Sequence, residues 1–189
     1  MLLTLSGYAD ALVKSKYTNT NDVSQINNYL QYSDKFSSSG QPTKEQFNAL
    51  SKAKFKYIIY LAYSDNSTAI EHEDRLVSQL NMTYIQLAVD FKNPKPTDFE
   101  TVAAVLKKSA NVKTLLHCQV NFRASAFSFL YRVIYQDVPV KIAKQAMDKV
   151  WEPNPIWFKF MQKVMRQHHR TLKCDSCDWG SNEFLDDAK

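Results

Sequence analysis

Thr114-Leu115-Leu116-His117-Cys118-Gln119-Val120-Asn121-Phe122-Arg123-Ala124-Ser125 reads as a short apolar strand, a tight loop and the first turn of a helix. Residues 112–116 are β-branched and aliphatic, and the Leu pair suits a strand buried on both faces. Beyond Arg123, the side chains Phe127, Leu130, Tyr131 and Ile134 recur at i, i+3, i+4 and i+7, one apolar stripe of a helix. A strand that delivers a cysteine into a loop closed by a helix N-terminus makes an anion site. Unpaired backbone N–H groups and the positive end of the helix dipole both face the loop.

Such a setting favours the thiolate, the nucleophilic form of a cysteine. It also binds the oxyanion that the thiolate attacks. The candidate binding groups are the amides of Gln119, Val120, Asn121, Phe122 and Arg123, and the two-pronged guanidinium of Arg123. Ser125 offers a hydroxyl to the sulfur as it leaves in the second half of the reaction. The loop holds no glycine, so Asn121 is its natural left-handed residue. His117, on a buried strand end, is expected to bond backbone groups and hold the loop in shape rather than act as acid or base. Two carboxyls upstream compete as proton donor. Asp98 falls in a helix first turn, where capping alone explains an acid. Asp90 follows a strand end and opens a loop over the site, and it is the favoured candidate.

The rest of the chain alternates strand and helix. A first edge-like strand is expected at 29–36, closed by a turn at Ser37-Ser38-Ser39-Gly40. Thr43-Lys44-Glu45-Gln46 is a capping box opening a helix with Phe47 and Leu50 inward. Strands are expected at 57–62 and 83–89, with a helix ending at Leu80 between them. Thr97-Asp98-Phe99-Glu100 reads as a second capping box, and Asn154-Pro155 as N-cap and N1 of a late helix. In the last two helices Ile142, Ala146 and Val150, then Ile156, Phe160 and Val164, are expected to face inward. The implied class is α/β, with a mostly parallel central sheet of about four or five strands in three layers and a helical C-terminal half. Ligands of such sheets lie at the carboxyl ends of strands, where Cys118 falls.

His117-Cys118 with Arg123 and Ser125 resembles the signature loop of the protein tyrosine phosphatase superfamily, especially its compact dual-specificity branch. The resemblance runs through residues 30–165. Its upstream part, Ser39-Gly40-Gln41-Pro42-Thr43 and Lys56-Tyr57-Ile58-Ile59-Tyr60-Leu61-Ala62, is similar to the opening of bacterial phosphatases of this type. It implies a cysteine-phosphatase-like fold with Cys118 as nucleophile, Arg123 as phosphate binder, Ser125 as the hydroxyl near sulfur and Asp90 as general acid. The chain departs from the signature in two respects, the first being that its loop lacks the glycines the signature contains. Second, Arg123 stands five residues after Cys118 rather than six, a distance also shown by rhodanese-like sulfurtransferases.

Composition bounds the alternatives. With 189 residues, 44% hydrophobic and 13% aromatic, the chain can fill one core. Three glycines argue against a glycine-rich nucleotide fold, and the net charge of +5 mildly favours anionic ligands. Neither nucleic acid nor membrane is expected as a partner, and no cofactor or metal is implied. The expected partner is a phosphorylated substrate, whether protein, inositol phosphate or nucleotide, and the expected state is a monomer. Residues 1–28 are read as an N-terminal arm, 29–170 as the domain and 171–189 as a polar, peripheral tail. Met1 to Ala11 resembles the end of a signal peptide, giving a periplasmic location if so and a cytoplasmic one otherwise. Cys174-x-x-Cys177 is read as a local disulfide or free thiols ahead of a metal site with His168 or His169. His72, among Glu71, Glu73 and Asp74, is read as a helix surface residue. Three functions follow in order: a cysteine-dependent phosphatase, a sulfurtransferase or persulfide-handling enzyme, and a non-catalytic anion-binding module.

Overall fold

A computed structural model describes residues 22–184. The strands are β1 (Leu30–Gln31), β2 (Phe36–Ser39), β3 (Phe55–Tyr60), β4 (Thr83–Gln86) and β5 (Lys113–His117). The helices are α1 (Lys44–Lys52), α2 (Glu73–Gln79), α3 (Pro96–Lys108), α4 (Phe122–Tyr135), α5 (Val140–Met147) and α6 (Pro155–Gln167). The stretch read as a signal-peptide end lies outside the described residues.

The sheet order is β1-β2-β5-β3-β4. β5 is central and parallel to both neighbours, β4 is parallel to β3, and only the short β1 edge is antiparallel. Side-chain alternation divides the core into two layers. Ile58 and Leu115 face α1 and α2 with Phe47, Leu50 and Val77. Ile59 and Leu116 face the opposite layer, where Phe99, Phe127, Trp157 and Met161 pack. Each such fully buried side chain contributes about 1.5–3 kcal/mol. α4 carries buried residues on every side, because α3, α5 and α6 cover it away from the sheet. The α/β, three-layer, mostly parallel expectation is met.

Several local expectations are corrected. Ser37, Ser38 and Ser39 are not a turn but the buried length of β2 beside β5. Their hydroxyls are satisfied from outside the strand: Ser37 by the Tyr29 hydroxyl at 2.9 Å, Ser38 by that of Tyr32 at 2.8 Å. Ser39 donates to Gly40 O. α2 begins only at Glu73, because His72 takes a left-handed conformation (φ 56°) just before it. α3 begins at Pro96 rather than after Thr97. Proline lacks an N–H that the first helical position could not use, and Asp98 Oδ2 accepts the Lys95 N–H at 2.9 Å. Ile142 and Ile156 are 49% and 46% exposed, so the inner faces are Ala143 and Met147 on α5, and Trp157, Phe160, Met161 and Val164 on α6. The capping box at Thr43 and the Asn154 cap form as expected.

The segment after residue 170 is not peripheral throughout. Leu172 and Trp179 are buried, with Trp179 against Phe129 (5.9 Å) and Phe158 (5.3 Å). Cys174 and Cys177 are joined as a disulfide in the turn between them. His168 lies elsewhere, 2.7 Å from Glu100 Oε1.

Candidate active site

Cys118 leaves the carboxyl end of the central strand fully buried, and its N–H donates to Ser39 O on β2 at 3.2 Å. The strand register therefore reaches into the loop from both sides, since Leu61 N–H also donates to His117 O at 2.9 Å. The turn into α4 is made by Asn121 at φ 72°, ψ 3°, the residue the sequence offered for it. The first α4 hydrogen bond runs from Ser125 N–H to Asn121 O at 2.8 Å, so the preceding amides belong to the helix's unpaired first turn. Gln119 O is drawn outward to the Gln41 N–H at 3.0 Å, and Gly40 pairs with Val120 in an isolated bridge.

Arg123 is 7% exposed and turns back along the site. Its Nε–H donates to Val89 O at 2.9 Å, and Nη1 donates to Gln119 Oε1 at 3.3 Å. Its guanidinium carbon lies 5.2 Å from the centre of the Phe91 ring. These bonds use Nε–H and one donor of Nη1; the other three N–H donors of a guanidinium are on Nη1 and Nη2. Asp90 lies between Val89 and Phe91, both of which touch Arg123. Its carboxylate is exposed, with Oδ1 accepting the Lys92 N–H at 2.8 Å. The same loop is pinned to α6, where Trp157 Nε1–H donates to Phe91 O at 3.0 Å. Asp98 is occupied as the cap of α3.

Two expectations change. Ser125 is buried, but its hydroxyl donates to Phe122 O and accepts the Trp151 Nε1–H, each at 3.1 Å. Its single proton is thus committed to a carbonyl rather than to the sulfur. His117 makes no ring hydrogen bond to the backbone among the described residues. It is stacked on Tyr60 (4.7 Å) and edge-on to Phe47 (6.1 Å), with Nε2 3.1 Å from Glu73 Oε1, out of line for a hydrogen bond. Glu73 is buried as well, and its Oε2 accepts from Gln41 Nε2. Burial raises the pKa of Tyr60; Asn66, hydrogen-bonded to its hydroxyl, works against this, and negative charge at Glu73 and Cys118 adds to it.

Glu73, Gln41 and Trp151 are the site neighbours that sequence reasoning missed. Gln41 stood inside the quoted Ser39–Thr43 motif without a role. Glu73 sat in an acidic run that reads as a solvated helix start. Trp151 lies flat on Phe122 at 4.6 Å, and nothing in its local sequence signals that.

No family model and no curated protein matches the sequence. Solved structures do. The chain is similar to a DUF442 phosphatase-family protein from Shewanella putrefaciens CN-32, at 31% identity and TM-score 0.70, covering 75% of this chain and 91% of that one. Pseudomonas aeruginosa TpbA, at 15% identity and TM-score 0.61, covers 72% of this chain and 84% of its own. The core catalytic domain of the PP-IP phosphatase SIW14 from Saccharomyces cerevisiae, at 16% identity and TM-score 0.60, also covers 72% and 84%. The latter two share the fold. The chain belongs to the DUF442 phosphatase family.

Proposed function

We propose that the chain is a cysteine-dependent phosphatase that hydrolyses a phosphomonoester. The observation that carries this is Cys118, buried where the central strand meets the unpaired N-terminus of α4, with Arg123 over the same loop. Cys118 Sγ attacks phosphorus in line, forming an S–P bond as the ester P–O bond breaks. Loop amides and the Nη end of Arg123 stabilise the equatorial oxygens. Asp90 gives the leaving oxygen its proton. It then takes one from the water that splits the phosphocysteine, returning Cys118 and inorganic phosphate. Ser125 helps the sulfur leave only after its proton turns from Phe122 O.

The test is release of phosphate from an aryl phosphate. Cys118→Ser should abolish it, and Asp90→Asn should lower kcat by roughly 100-fold or more. Turnover that survives Cys118→Ser refutes the mechanism. A second reading, a sulfurtransferase carrying a persulfide on Cys118, is favoured by the five-residue distance to Arg123. It needs no general acid, so Cys118-dependent thiocyanate formation from thiosulfate and cyanide, indifferent to Asp90→Asn, would replace the first reading.

A further inference from the structure

We propose that Asn28 is a positioning residue for the anion-binding loop, holding one of its peptides with the N–H inward; its catalytic consequence rests on the phosphatase reading. Asn28 is bonded to the loop in both directions. Asn28 Nδ2 donates to Val120 O at 2.9 Å, and Asn121 Nδ2 donates to Asn28 O at 2.6 Å. Both residues are left-handed, at φ 51° and 72°. Asparagine tolerates that conformation better than other side-chain-bearing residues.

The consequence follows from peptide geometry. Across a trans peptide the C=O and N–H point in opposite directions, and no cis peptide occurs among the described residues. Val120 O turned toward Asn28 therefore sends the Asn121 N–H to the other side. Gln119 O, turned toward the Gln41 N–H, does the same for the Val120 N–H. Asn121 O, taken by Ser125 N–H, does it for Phe122. Each of these three successive amides is thus turned away from a carbonyl that is held by a partner. Two of those carbonyls are held by backbone groups, which any residue would supply. Only the middle one is held by a side chain.

Without Asn28 that peptide has no outer partner and can turn. A turned peptide offers a carbonyl oxygen where an anion needs a donor, exchanging attraction for repulsion. Gly40 brings the donor within reach. Its N–H donates to Asn27 O at 2.7 Å, and a Cβ on Gly40 would sit 2.9–3.1 Å from Asn27 atoms and Gln119 O.

The experiment compares wild type with Asn28→Gly and Asn28→Asp. Glycine keeps the left-handed backbone without strain, so Asn28 O stays in place and only the amide donor is lost. Aspartate keeps the shape but replaces donor with acceptor. Tungstate affinity is measured by calorimetry, with kcat and KM for an aryl phosphate and the unfolding temperature beside it. Tungstate Kd should rise about tenfold in Asn28→Gly and further in Asn28→Asp, kcat/KM falling at least as much, and the unfolding temperature should move by no more than about 2 °C. Unchanged tungstate affinity in Asn28→Gly overturns the proposal, as does a wild type that binds no tungstate. A wild type that binds tungstate without hydrolysing ester removes the phosphatase reading alone, and the affinity ratio still decides the role of Asn28.

Discussion

Glu73→Ala should be among the most damaging substitutions outside the phosphate loop. The carboxylate is buried, accepts from Gln41 and lies 3.1 Å from the ring of His117, which is itself fully buried. Alanine removes the acceptor of Gln41 and leaves a void beside the buried ring of His117, and a large-to-small change at such a site costs about 2–5 kcal/mol. The severed Gln41 bond is part of that sum, since a buried donor left unmade costs about 1–3 kcal/mol. For a domain of this size each kcal/mol lowers the unfolding temperature by about 2–4 °C, so a loss near 4 kcal/mol corresponds to about 8–16 °C. Glu73→Gln, which keeps the volume, should lose less than half as much. Urea titration of the single variants and of Glu73→Ala combined with His117→Asn separates the pair from its surroundings. A coupling energy of about 1 kcal/mol or more is expected if the two side chains act together. Strict additivity, or a Glu73→Ala protein within about 1 kcal/mol of wild type, would refute the pairing as a stabilising contact.

Gly40→Ala should lower stability by about 1–3 kcal/mol, because the added methyl meets backbone oxygen of both Gln119 and Asn27 at 3.0–3.1 Å; equal urea midpoints would count against it. Its kcat/KM should fall beyond what lost folded protein explains, since the displaced oxygen belongs to the phosphate loop. Trp151→Phe retains the stack on Phe122 but removes the indole N–H from Ser125. A change in the rate of phosphocysteine hydrolysis without change in the first chemical step would show that this bond governs the hydroxyl, and identical burst and steady-state rates would deny it. Tyr84 ionises well above the ordinary tyrosine range, chiefly through burial and secondarily through Glu73. The unfolded chain therefore loses that proton first. The contribution is fully present below about pH 10 and is lost as pH rises beyond it, so Tyr84→Phe should flatten the alkaline fall in urea midpoint. An unaltered slope would exclude it.

The central strand, its loop and α4 were legible because burial on both sheet faces and a 3.6-residue stripe leave few alternatives for 112–134. Asn121 was legible for a stereochemical reason: a glycine-free loop still needed a left-handed residue. The serine run of β2 was not, because the buried hydroxyls of Ser37 and Ser38 are met by Tyr29 and Tyr32, eight and six residues upstream, a pairing that local strand propensity does not weigh. The inner face of α5 was misread for a similar reason. Lys144 is buried there, paired with Asp148 and lying 4.8 Å from the Trp179 ring, while Ile142 faces outward. Periodicity counts apolar residues and gives no weight to a lysine whose stem can pack and whose charge is met.

The same limit governs the site. A spacing of five between Cys118 and Arg123 shortens the loop, and the absence of glycine removes the freedom a short loop needs. Local sequence alone therefore predicts strain, and strain would argue against a competent anion site. Resolution comes from residues distant in sequence: Asn28 and Gln41 grip the loop's carbonyls, and Val89 takes the side of the arginine fork. A loop held from outside is rigid without being intrinsically rigid. Its anion affinity should accordingly be more sensitive to its supports than to conservative changes at Val120 or Phe122, whose side chains take no part in turning the peptides.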